Sequence, residues 1–290
     1  MFIADAWKDY ELLDASDGER LERWGEYTLI RPDPQVIWKG GKHHRMWNRA
    51  DASYKRQGGG GEWSRHMLPS EWTVSYGKLR FLIRPMNFKH TGLFPEQATN
   101  WDFMSEQIRS AGRPVSVLNL FAYTGGATVA TAAAGASVVH VDASKGIVAY
   151  AKENAKLNGL ETAPIRYIVD DCKKFVEREI RRGHTYDGIV MDPPSYGRGP
   201  GGEVWKLEDS IDELLTLVSG LLSDNPLFFV LNSYTTGLSA STMKYMVSQR
   251  ISKKYNGKIE AEELCLPVTQ TGEALPCGST VRVRFDSGEL

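Results

Sequence analysis

The stretch that decides the fold spans residues 115–126 and reads VSVLNLFAYTGG. Its first half is a short apolar, β-branched run, which is typical of a buried strand. Its second half ends on Gly125 and Gly126, and small residues then continue over 126–134, which predicts a turn followed by a helix. A strand, a glycine turn and a helix in this order predict the first unit of an α/β fold.

The same alternation continues on both sides of this stretch. Helices are predicted over residues 95–110, 126–134, 145–157, 173–182 and 209–222, and strands over 115–120, 137–141, 165–169, 188–191 and 227–231. Asn158-Gly159 is a helix stop signal. The pattern predicts right-handed crossovers and a mostly parallel sheet covered on both faces. Two last strands, 258–266 and 280–285, are expected to form a hairpin at the sheet edge.

The N-terminal region has a different pattern. Short β-branched or aromatic runs predict strands over residues 26–31, 35–38, 72–75 and 79–84, with a tight turn at Tyr76-Gly77-Lys78. Residues 38–66 contain Gly58 to Gly61 and are expected to form an irregular, mobile loop. We therefore predict two domains, a small β-rich one over 1–94 and a doubly wound α/β one over 95–290.

Composition excludes several classes of protein. The 290 residues are 41% hydrophobic and 24% charged, the balance of a globular protein. No apolar run approaches the roughly 18 residues of a membrane span, and charges at positions 5, 8, 9 and 11 argue against a signal peptide. Three unpaired cysteines and six scattered histidines predict neither disulfides nor a metal site. We expect a cytoplasmic protein.

Charge is distributed unevenly although the net charge is only −1. Residues 1–37 hold nine acidic and four basic side chains, whereas residues 38–66 hold seven basic and two acidic ones. Four tryptophans at positions 38, 47, 63 and 72 are interleaved with these bases. One interpretation is a platform for unstacked RNA bases and phosphates. The alternative, about equally weighted, is a small β core with a solvated basic face.

Polar or small residues follow four consecutive predicted strands of the sheet. Ligands of open α/β sheets bind beyond the carboxyl ends of the strands, so these residues are expected to share one rim. They are, strand by strand, Asn119, Phe121, Tyr123, Thr124, Gly125 and Gly126; Asp142, Ala143 and Ser144; Asp170, Asp171 and Cys172; and Asp192, Pro193, Pro194 and Tyr196.

Each strand end has a possible binding role. Gly125 and Gly126 allow backbone N–H groups close to a ligand, Asp142 can accept bonds from ribose hydroxyls, and Asp171 with Cys172 can contact an adenine edge. Singly, each has a simpler explanation as a tight turn or a helix cap. Together they favour a nucleoside site. Because neither G-x-G-x-x-G nor a phosphate loop is present, the site fits adenosine without pyrophosphate, as in S-adenosylmethionine.

Asp192-Pro193-Pro194 suggests the chemistry. Two prolines remove two N–H donors, which leaves the Asp192 carboxylate and nearby carbonyl oxygens as acceptors. Such a rim can hold an amino or ring N–H group while its nitrogen attacks a methyl group. Tyr196 is a possible stacking ring. The alternative is a Pro-Pro loop that only ends a strand.

These motifs, together with residues 89–97 and Asn154-Ala155-Lys156-Leu157-Asn158-Gly159, resemble class I S-adenosylmethionine-dependent methyltransferases. The nearest group is the bacterial large-subunit ribosomal RNA methyltransferases of the cytosine-C5 and guanine-N7 kinds. The resemblance implies a Rossmann-like seven-stranded sheet whose last strand is antiparallel. It also implies that Phe121, Gly125 and Gly126 line the methionine end of the cofactor, that Asp142 holds the ribose and Asp171 the adenine, and that Asp192 faces methyl group and target.

The sequence departs from the cytosine-C5 enzymes at one position. Their cysteine nucleophile follows the strand after the D-P-P strand, where this chain reads Leu231-Asn232-Ser233-Tyr234-Thr235. We therefore predict methylation of a base nitrogen, with 23S ribosomal RNA as the substrate. The predicted substrate contacts are Lys39, Lys42, Arg45, Arg49 and Trp63, and Arg198, Trp205 and Lys206 closing over a flipped base.

Two rival hypotheses remain open. The first keeps the cofactor but replaces RNA by a small molecule or a protein side chain. The second is a non-catalytic RNA-binding protein of the same fold. A nicotinamide oxidoreductase is disfavoured because the dinucleotide fingerprint is missing. The expected assembly is a monomer or a homodimer, without a membrane or a metal.

Overall fold

The computed structural model describes residues 1–57, 60–65, 68–86, 88–252 and 255–286, apart from the side chain of residue 65. The chain divides into two compact units. The first comprises Met1–Thr99 and Leu264–Cys277, and the second Asn100–Glu263 and Gly278–Leu290. Among the described residues, no helix has the length and apolarity needed to cross a membrane. The division predicted at residues 94 and 95 stays a prediction.

The first unit is built from short strands. They are β1 (Phe2–Ile3), β2 (Tyr10–Ser16), β3 (Glu19–Trp24), β4 (Tyr27–Pro32), β5 (Ala52–Gln57), β6 (Gly60–Arg65), β7 (Trp72–Tyr76) and β8 (Leu79–Ile83). Strands β2 to β6 form one sheet in sequence order, and β7 pairs with β8 around the predicted turn at Gly77. The predicted β-rich character of this region is confirmed.

Two predictions for the first unit are wrong. Residues 35–38 form no strand, because Asp33-Pro34 begins a turn in which the Val36 amide donates to the Asp33 carbonyl. Much of the segment 38–66 has regular secondary structure, since β5 and β6 pair antiparallel. The ring centroids of Tyr54 and Trp63 are 5.5 Å apart. Residues 58 and 59 of the expected glycine loop lie outside the described residues.

The second unit alternates strands and helices. Its strands are β9 (Ser116–Leu120), β10 (Ser137–Asp142), β11 (Ile165–Val169), β12 (Gly188–Met191), β13 (Tyr196–Arg198), β14 (Val204–Lys206) and β15 (Phe228–Ser233). Strands β16 (Gly257–Pro267) and β17 (Ala274–Phe285) belong to it in part, since their residues 264–267 and 274–277 are in the first unit. Its helices are α1 (Ala98–Ser110), α2 (Gly126–Ala133), α3 (Lys145–Leu157), α4 (Cys172–Arg181), α5 (Leu207–Ser219) and α6 (Ala240–Val247). The short pair β13–β14 and helix α6 were not predicted.

The main sheet has the strand order β16-β17-β15-β12-β9-β10-β11. Strands β15, β12, β9, β10 and β11 are parallel, and β17 runs antiparallel to β15. The predicted doubly wound seven-stranded sheet with an antiparallel last strand is therefore confirmed. The pair β1 and β16 adds one short edge strand at Leu264 and Cys265.

The centre of the sheet is tightly packed. Gly188 on β12 lies against the Phe228 ring of the neighbouring strand, and both residues are buried. A Cβ added at Gly188 would meet Phe228 Cζ at 2.3 Å. A side chain has no room here, because ring and strand are enclosed by the core of the unit.

We expect Gly188→Ala to lower the free energy of unfolding by about 1–3 kcal/mol, since it overpacks a closed core. Gly146→Ala is the matched control. Gly146 lies in α3 with no heavy atom within 4 Å of an added Cβ, so alanine there should be neutral or slightly stabilising. Urea unfolding monitored by circular dichroism measures both. Equal stability of the two variants would contradict the packing argument.

Candidate active site

The turn after β9 has an unusual backbone. Phe121, Tyr123 and Gly125 have φ values of 55°, 50° and 85°. Positive φ is ordinary for glycine but uncommon for Phe and Tyr, and each such residue costs of the order of 1 kcal/mol or more. The conformation therefore needs support from the surrounding structure.

Side chains from two neighbouring strand ends hold the first half of this turn. The Phe121 amide donates to Cys172 Sγ at 3.3 Å, and the Tyr123 amide donates to Asp142 Oδ2 at 3.0 Å. The two strained residues are thus each fixed by a partner that is distant in sequence. Cys172 and Asp142 support the turn in addition to any contact with a ligand.

The second half of the turn is held from α3. Asn154 is fully buried and its Nδ2 donates to the Thr124 carbonyl at 2.8 Å. The Gly125 amide donates to the Ala122 carbonyl at 3.1 Å, so this N–H is already engaged. Thr124 itself is only 1% exposed. The predicted cofactor contacts of Thr124 and Gly125 stay predictions, and Asn154 is a support that the sequence did not reveal.

The two glycines allow close approach of the turn to its neighbours. A Cβ on Gly125 would lie 3.0 Å from Ala151 Cβ of α3, and one on Gly126 would lie 2.8 Å from Trp101 Cζ2 of α1. The sequence predicted glycines for approach to a ligand. The structure adds that helices α1 and α3 occupy the remaining space, so the turn is enclosed on both sides.

Asp142 ends β10 with its carboxylate directed at two amides. Oδ2 accepts from Tyr123 and Oδ1 accepts from Ser144, both at 3.0 Å. Burial raises the pKa of Asp142, and the amides of Ser144, Tyr123 and Ala143 oppose this increase. A carboxylate has roughly four acceptor sites, so lone pairs remain for ribose hydroxyls. Ser144 is also the N-cap of α3, accepting from Ile147.

A buried polar chain lies beneath the turn. Asn119 Nδ2 donates to Thr128 Oγ1 at 2.9 Å, and this hydroxyl lies 2.8 Å from His140 Nδ1. All three residues are at most 3% exposed, and burial lowers the pKa of His140 to about 3. Asn119 therefore supports the turn from inside, and its predicted cofactor contact stays a prediction.

The third strand end begins helix α4. Asp171 is the N-cap, and its Oδ1 accepts from the Lys174 amide at 2.9 Å. Asp170 pairs with Arg178. Cys172 is 3% exposed, and burial raises the pKa of its thiol far above the ordinary range. One Asp171 oxygen remains for an adenine contact, whereas the Cys172 thiol is neutral and occupied.

The fourth strand end lies beside the turn. The Asp192 amide donates to the Leu120 carbonyl at 3.3 Å, so the end of β12 adjoins the end of β9. Pro193 is buried, while Pro194 and Tyr196 are exposed, Tyr196 by 54%. Ser195 and Thr235 share a hydrogen bond of 2.7 Å, which links this loop to the segment after β15.

The hairpin β13–β14 covers the region next to α4. Glu203 pairs with Lys174, and a Cβ on Gly199 would lie 3.1 Å from Asp171 Oδ2. Trp205 is 8% exposed, donates to the Pro194 carbonyl at 2.6 Å and packs its ring 5.1 Å from Phe121. These contacts give Trp205 a role in positioning the loop. Its substrate contact, like those of the exposed Arg198 and Lys206, stays a prediction.

A second polar network lies where β15 ends. Asn100 Nδ2 donates to Asn232 Oδ1 at 2.9 Å and to Thr280 Oγ1 at 3.3 Å, and Arg282 Nε donates to Asn100 Oδ1 at 2.7 Å. These side chains are at most 8% exposed. Asn232 and Ser233 thus stand where the cytosine-C5 pattern has cysteine, and the network fixes the start of α1. No sequence pattern predicted this network, because Asn100 is more than 100 residues from each of its three partners.

The predicted contacts of the first unit are mostly on its surface. Lys39, Lys42, Arg45 and Arg49 are exposed, and Lys42 pairs with Glu19. Trp47 is 6% exposed and donates to Asp14 Oδ2 at 2.7 Å, so it belongs to the small core with Leu13 and Leu21. For Trp47 the β-core alternative is therefore the correct one.

Trp63 also acts through its indole N–H. It donates to the carbonyl oxygens of Met86 at 2.9 Å and Phe88 at 3.2 Å, and its side chain is half-buried. The predicted stacking of a base on Trp63 stays a prediction. Within the described part of the chain, no three His, Cys, Asp or Glu side chains come together as a metal site.

These features fit an adenosine-containing ligand. The enclosed glycine turn, the Asp142 carboxylate with free lone pairs and the Asp171 oxygen beside α4 follow three adjacent parallel strands. Asp192 follows the fourth, and the acceptor rim predicted there stays a prediction. The fold and site define a nucleoside-binding α/β protein without a pyrophosphate loop.

Comparison with known proteins identifies the family. Residues 36–223 match the family model described as S-adenosylmethionine-dependent methyltransferase. The chain belongs to this family, and S-adenosylmethionine is its cofactor. In sequence it is 38% identical to a SAM-dependent methyltransferase from Agrobacterium tumefaciens, whose crystal structure matches with a TM-score of 0.93 over 98% of this chain and 92% of that one.

Two further similarities are more distant. A ribosomal RNA large subunit methyltransferase K/L from Chromohalobacter salexigens is 34% identical over 186 residues, which is 64% of this chain and 22% of that protein. This chain spans about a fifth of the length of such curated relatives. A methyltransferase, SMU.776, complexed with S-adenosylhomocysteine shares the fold at 19% identity, with a TM-score of 0.74 over 97% of this chain and 76% of that one.

We expect Asn154→Ala to weaken S-adenosylmethionine binding about tenfold. The change leaves the buried Thr124 carbonyl without its donor, which costs about 1–3 kcal/mol and loosens the strained turn. Asn158→Ala is the control, because Asn158 is the C-cap of the same helix and donates to the Asn154 carbonyl at 2.7 Å rather than to the turn after β9. Calorimetric titration measures both. Wild-type affinity in Asn154→Ala would contradict the supporting role.

The buried His140 predicts a loss of stability in acid. Its folded pKa of about 3 lies below the ordinary 6.5, so the unfolded chain binds more protons and stability falls as pH drops below about 6.5. His90, with a pKa lowered to about 4 by burial, acts in the same direction. Each proton contributes a slope of about 1.4 kcal/mol per pH unit.

His140→Gln should remove its share of this slope, and substitution of the exposed His43 by Gln should not. Urea unfolding at a series of pH values between 4 and 8 measures the difference. If His140→Gln retains the full pH dependence of the wild type, the neutral buried imidazole is not its source.

Proposed function

We propose that this chain transfers a methyl group from S-adenosylmethionine to a base nitrogen of RNA, with 23S ribosomal RNA as the substrate. The observation that carries the proposal is the bond from the Asp192 amide to the Leu120 carbonyl, which supports a role for Asp192 beside the turn at Phe121 and Tyr123. The names of the K/L relatives support the choice of a ribosomal substrate. In this proposal residues 1–94 form the RNA-binding domain and 95–290 the methyltransferase domain of a cytoplasmic monomer or homodimer.

Bound S-adenosylmethionine supplies a methyl group on a sulfonium, which a nucleophile takes by in-line displacement while the C–S bond breaks and the thioether leaves. The chain orients the nucleophile. The Asp192 carboxylate and carbonyl oxygens near it, other than the Pro194 carbonyl that accepts from Trp205, accept bonds from the target's N–H group and aim its lone pair. The proton of that N–H leaves through Asp192 or to water after the new N–C bond forms.

Three observations support nitrogen over cytosine C5 as the target. Attack by C5 requires a cysteine thiolate bonded to the ring. At the end of β15 the chain has Asn232 and Ser233, and Asn232 is engaged by Asn100. Cys172 is buried, with its sulfur accepting from Phe121 and a raised pKa. The other cysteines, Cys265 and Cys277, are buried in the first unit.

Exposed cations support an RNA substrate. Lys39, Lys42, Arg45 and Arg49 lie on the surface of the first unit, within a segment of net charge +5. Arg198 and Lys206 are exposed on the hairpin that covers the site. Phosphate contacts of this kind supply most of the sequence-independent affinity for nucleic acids. Trp205, held against Pro194 and Phe121, would keep the hairpin in place as a flipped base enters.

We expect the fourfold substitution of Lys39, Lys42, Arg45 and Arg49 by Gln to weaken RNA binding at least about tenfold. Each lost phosphate contact also reduces the slope of log K against log salt by about 0.7. Fluorescence anisotropy with 23S ribosomal RNA fragments measures this. Affinity for S-adenosylmethionine should be unchanged, whereas Asp142→Ala should abolish it.

Mass spectrometry of nucleosides from ribosomal RNA tests the function itself. A deletion strain should lack one N-methylated base, and the purified protein should restore it with a tritiated methyl donor. Loss of a C5-methylated cytosine would overturn the assignment to nitrogen. An unchanged ribosomal RNA, or methylation that the fourfold variant retains in full, would favour a small-molecule or protein substrate.

A further inference from the structure

The first unit presents an exposed aromatic ring at Phe88, whose carbonyl oxygen accepts a hydrogen bond. Phe88 is 63% exposed, although large apolar side chains are usually buried. It follows β8, where the Arg84 amide donates to the Thr91 carbonyl and the Met86 amide donates to the His90 carbonyl. These bonds bring Arg84 and Met86 next to Thr91 and His90, and the loop tip, here Phe88 and Lys89, lies between them.

The tip is held from below by two side chains. Trp63 Nε1 donates to the carbonyl oxygens of Met86 and Phe88 at 2.9 and 3.2 Å. Arg31 Nη1 donates to the Lys89 carbonyl at 3.1 Å. Arg31 is itself fixed by a bidentate pair with the fully buried Glu22, at 2.6 and 2.7 Å. A ring presented this way loses little conformational freedom when it binds a partner.

Several basic side chains lie near Lys89. Its Nζ donates to the Pro32 carbonyl at 3.3 Å. Burial and the positive charges of Arg20, Arg31 and Arg56 together lower the pKa of Lys89 to about 8, and Asp33 opposes this decrease. Four cations thus stand against two carboxylates, Glu22 and Asp33. An anion bound beside Lys89 would relieve this repulsion.

We propose that Phe88 stacks on an unpaired RNA base while Lys89 and Arg56 bind the adjoining phosphate. Its residues are other than Lys39, Lys42, Arg45 and Arg49, and the inference rests on the proposed RNA substrate. An aromatic ring beside cations is the arrangement by which proteins bind single-stranded nucleic acid, because every base has a face to stack. Trp63 is then a positioning residue that fixes the loop.

The test uses the full chain and a fluorescein-labelled stem-loop RNA with an unpaired loop. Phe88→Ala should bind it about tenfold more weakly, within the range found for loss of one stacked base, and Phe88→Trp should bind like the wild type. The double substitution of Lys89 and Arg56 by Gln removes one phosphate contact and should reduce the slope of log K against log salt by about 0.7. A fully paired duplex of the same sequence should show no dependence on Phe88.

The controls remove similar groups elsewhere. Tyr245 is 70% exposed on α6, and Lys78 is exposed at the β7–β8 turn, the opposite end of β8 from this loop. Tyr245→Ala and Lys78→Gln should bind the stem-loop like the wild type. Calorimetry with S-adenosylmethionine and circular dichroism confirm that each variant is folded.

The outcomes separate this inference from the proposed function. If the wild type methylates and binds RNA while Phe88→Ala binds within about twofold of it, the stacking surface is wrong and the function stands. Equal losses for stem-loop and duplex also overturn stacking. If the wild type neither binds nor methylates RNA, both proposals fail, and the tip is then a contact for another partner.

Discussion

The strained turn at Phe121 and Tyr123 is the constraint on which the site depends. Two non-glycine residues with positive φ persist only because side chains from β10, α3 and α4 take up the amides and carbonyl that the turn exposes. The result is a backbone that is already in one conformation before a ligand arrives. Preorganisation of this kind reduces the entropy lost on binding.

Because of these interactions, residues at the strand ends both support the turn and are predicted to contact the ligand. One oxygen of Asp142 accepts from the Tyr123 amide, and the other accepts from the amide of Ser144, the N-cap of α3. Lone pairs remain on the carboxylate for a ligand. Cys172 begins α4 and also fixes Phe121. Residues predicted as ligand contacts are therefore also structural supports, and substituting them removes both functions together.

The sequence predicted the α/β part well, because its signals are local. Helix α3 has the predicted bounds, since Ser144 caps its start and Asn158-Gly159 ends it. The rim was predicted because parallel strands bring their carboxyl ends together. The β-rich part was predicted less well. Strand β3 reads ERLERW, and its sequence alone suggests solvent-exposed charges. In the structure Glu22 is buried and pairs with Arg31 of β4.

What the sequence could not reveal depends on contacts between distant residues. The bond from Phe121 to Cys172 joins positions 51 apart, and the network of Asn100 with Asn232 joins positions 132 apart. No periodicity or motif records such pairs. The tryptophans illustrate the same limit, because only the fold distinguishes the buried Trp47 and the loop-fixing Trp63 from a stacking platform.

The first unit is discontinuous in sequence, since Leu264–Cys277 belongs with Met1–Thr99. Near its end, Gln35 donates to the Cys277 carbonyl, and Thr269 donates its amide to Leu12. During synthesis the N-terminal strands therefore lack their partner segment, Leu264–Cys277, until more than 160 further residues have been translated. The first unit is complete only once Cys277 has been made, and a chain that stops at residue 99 would contain neither unit whole.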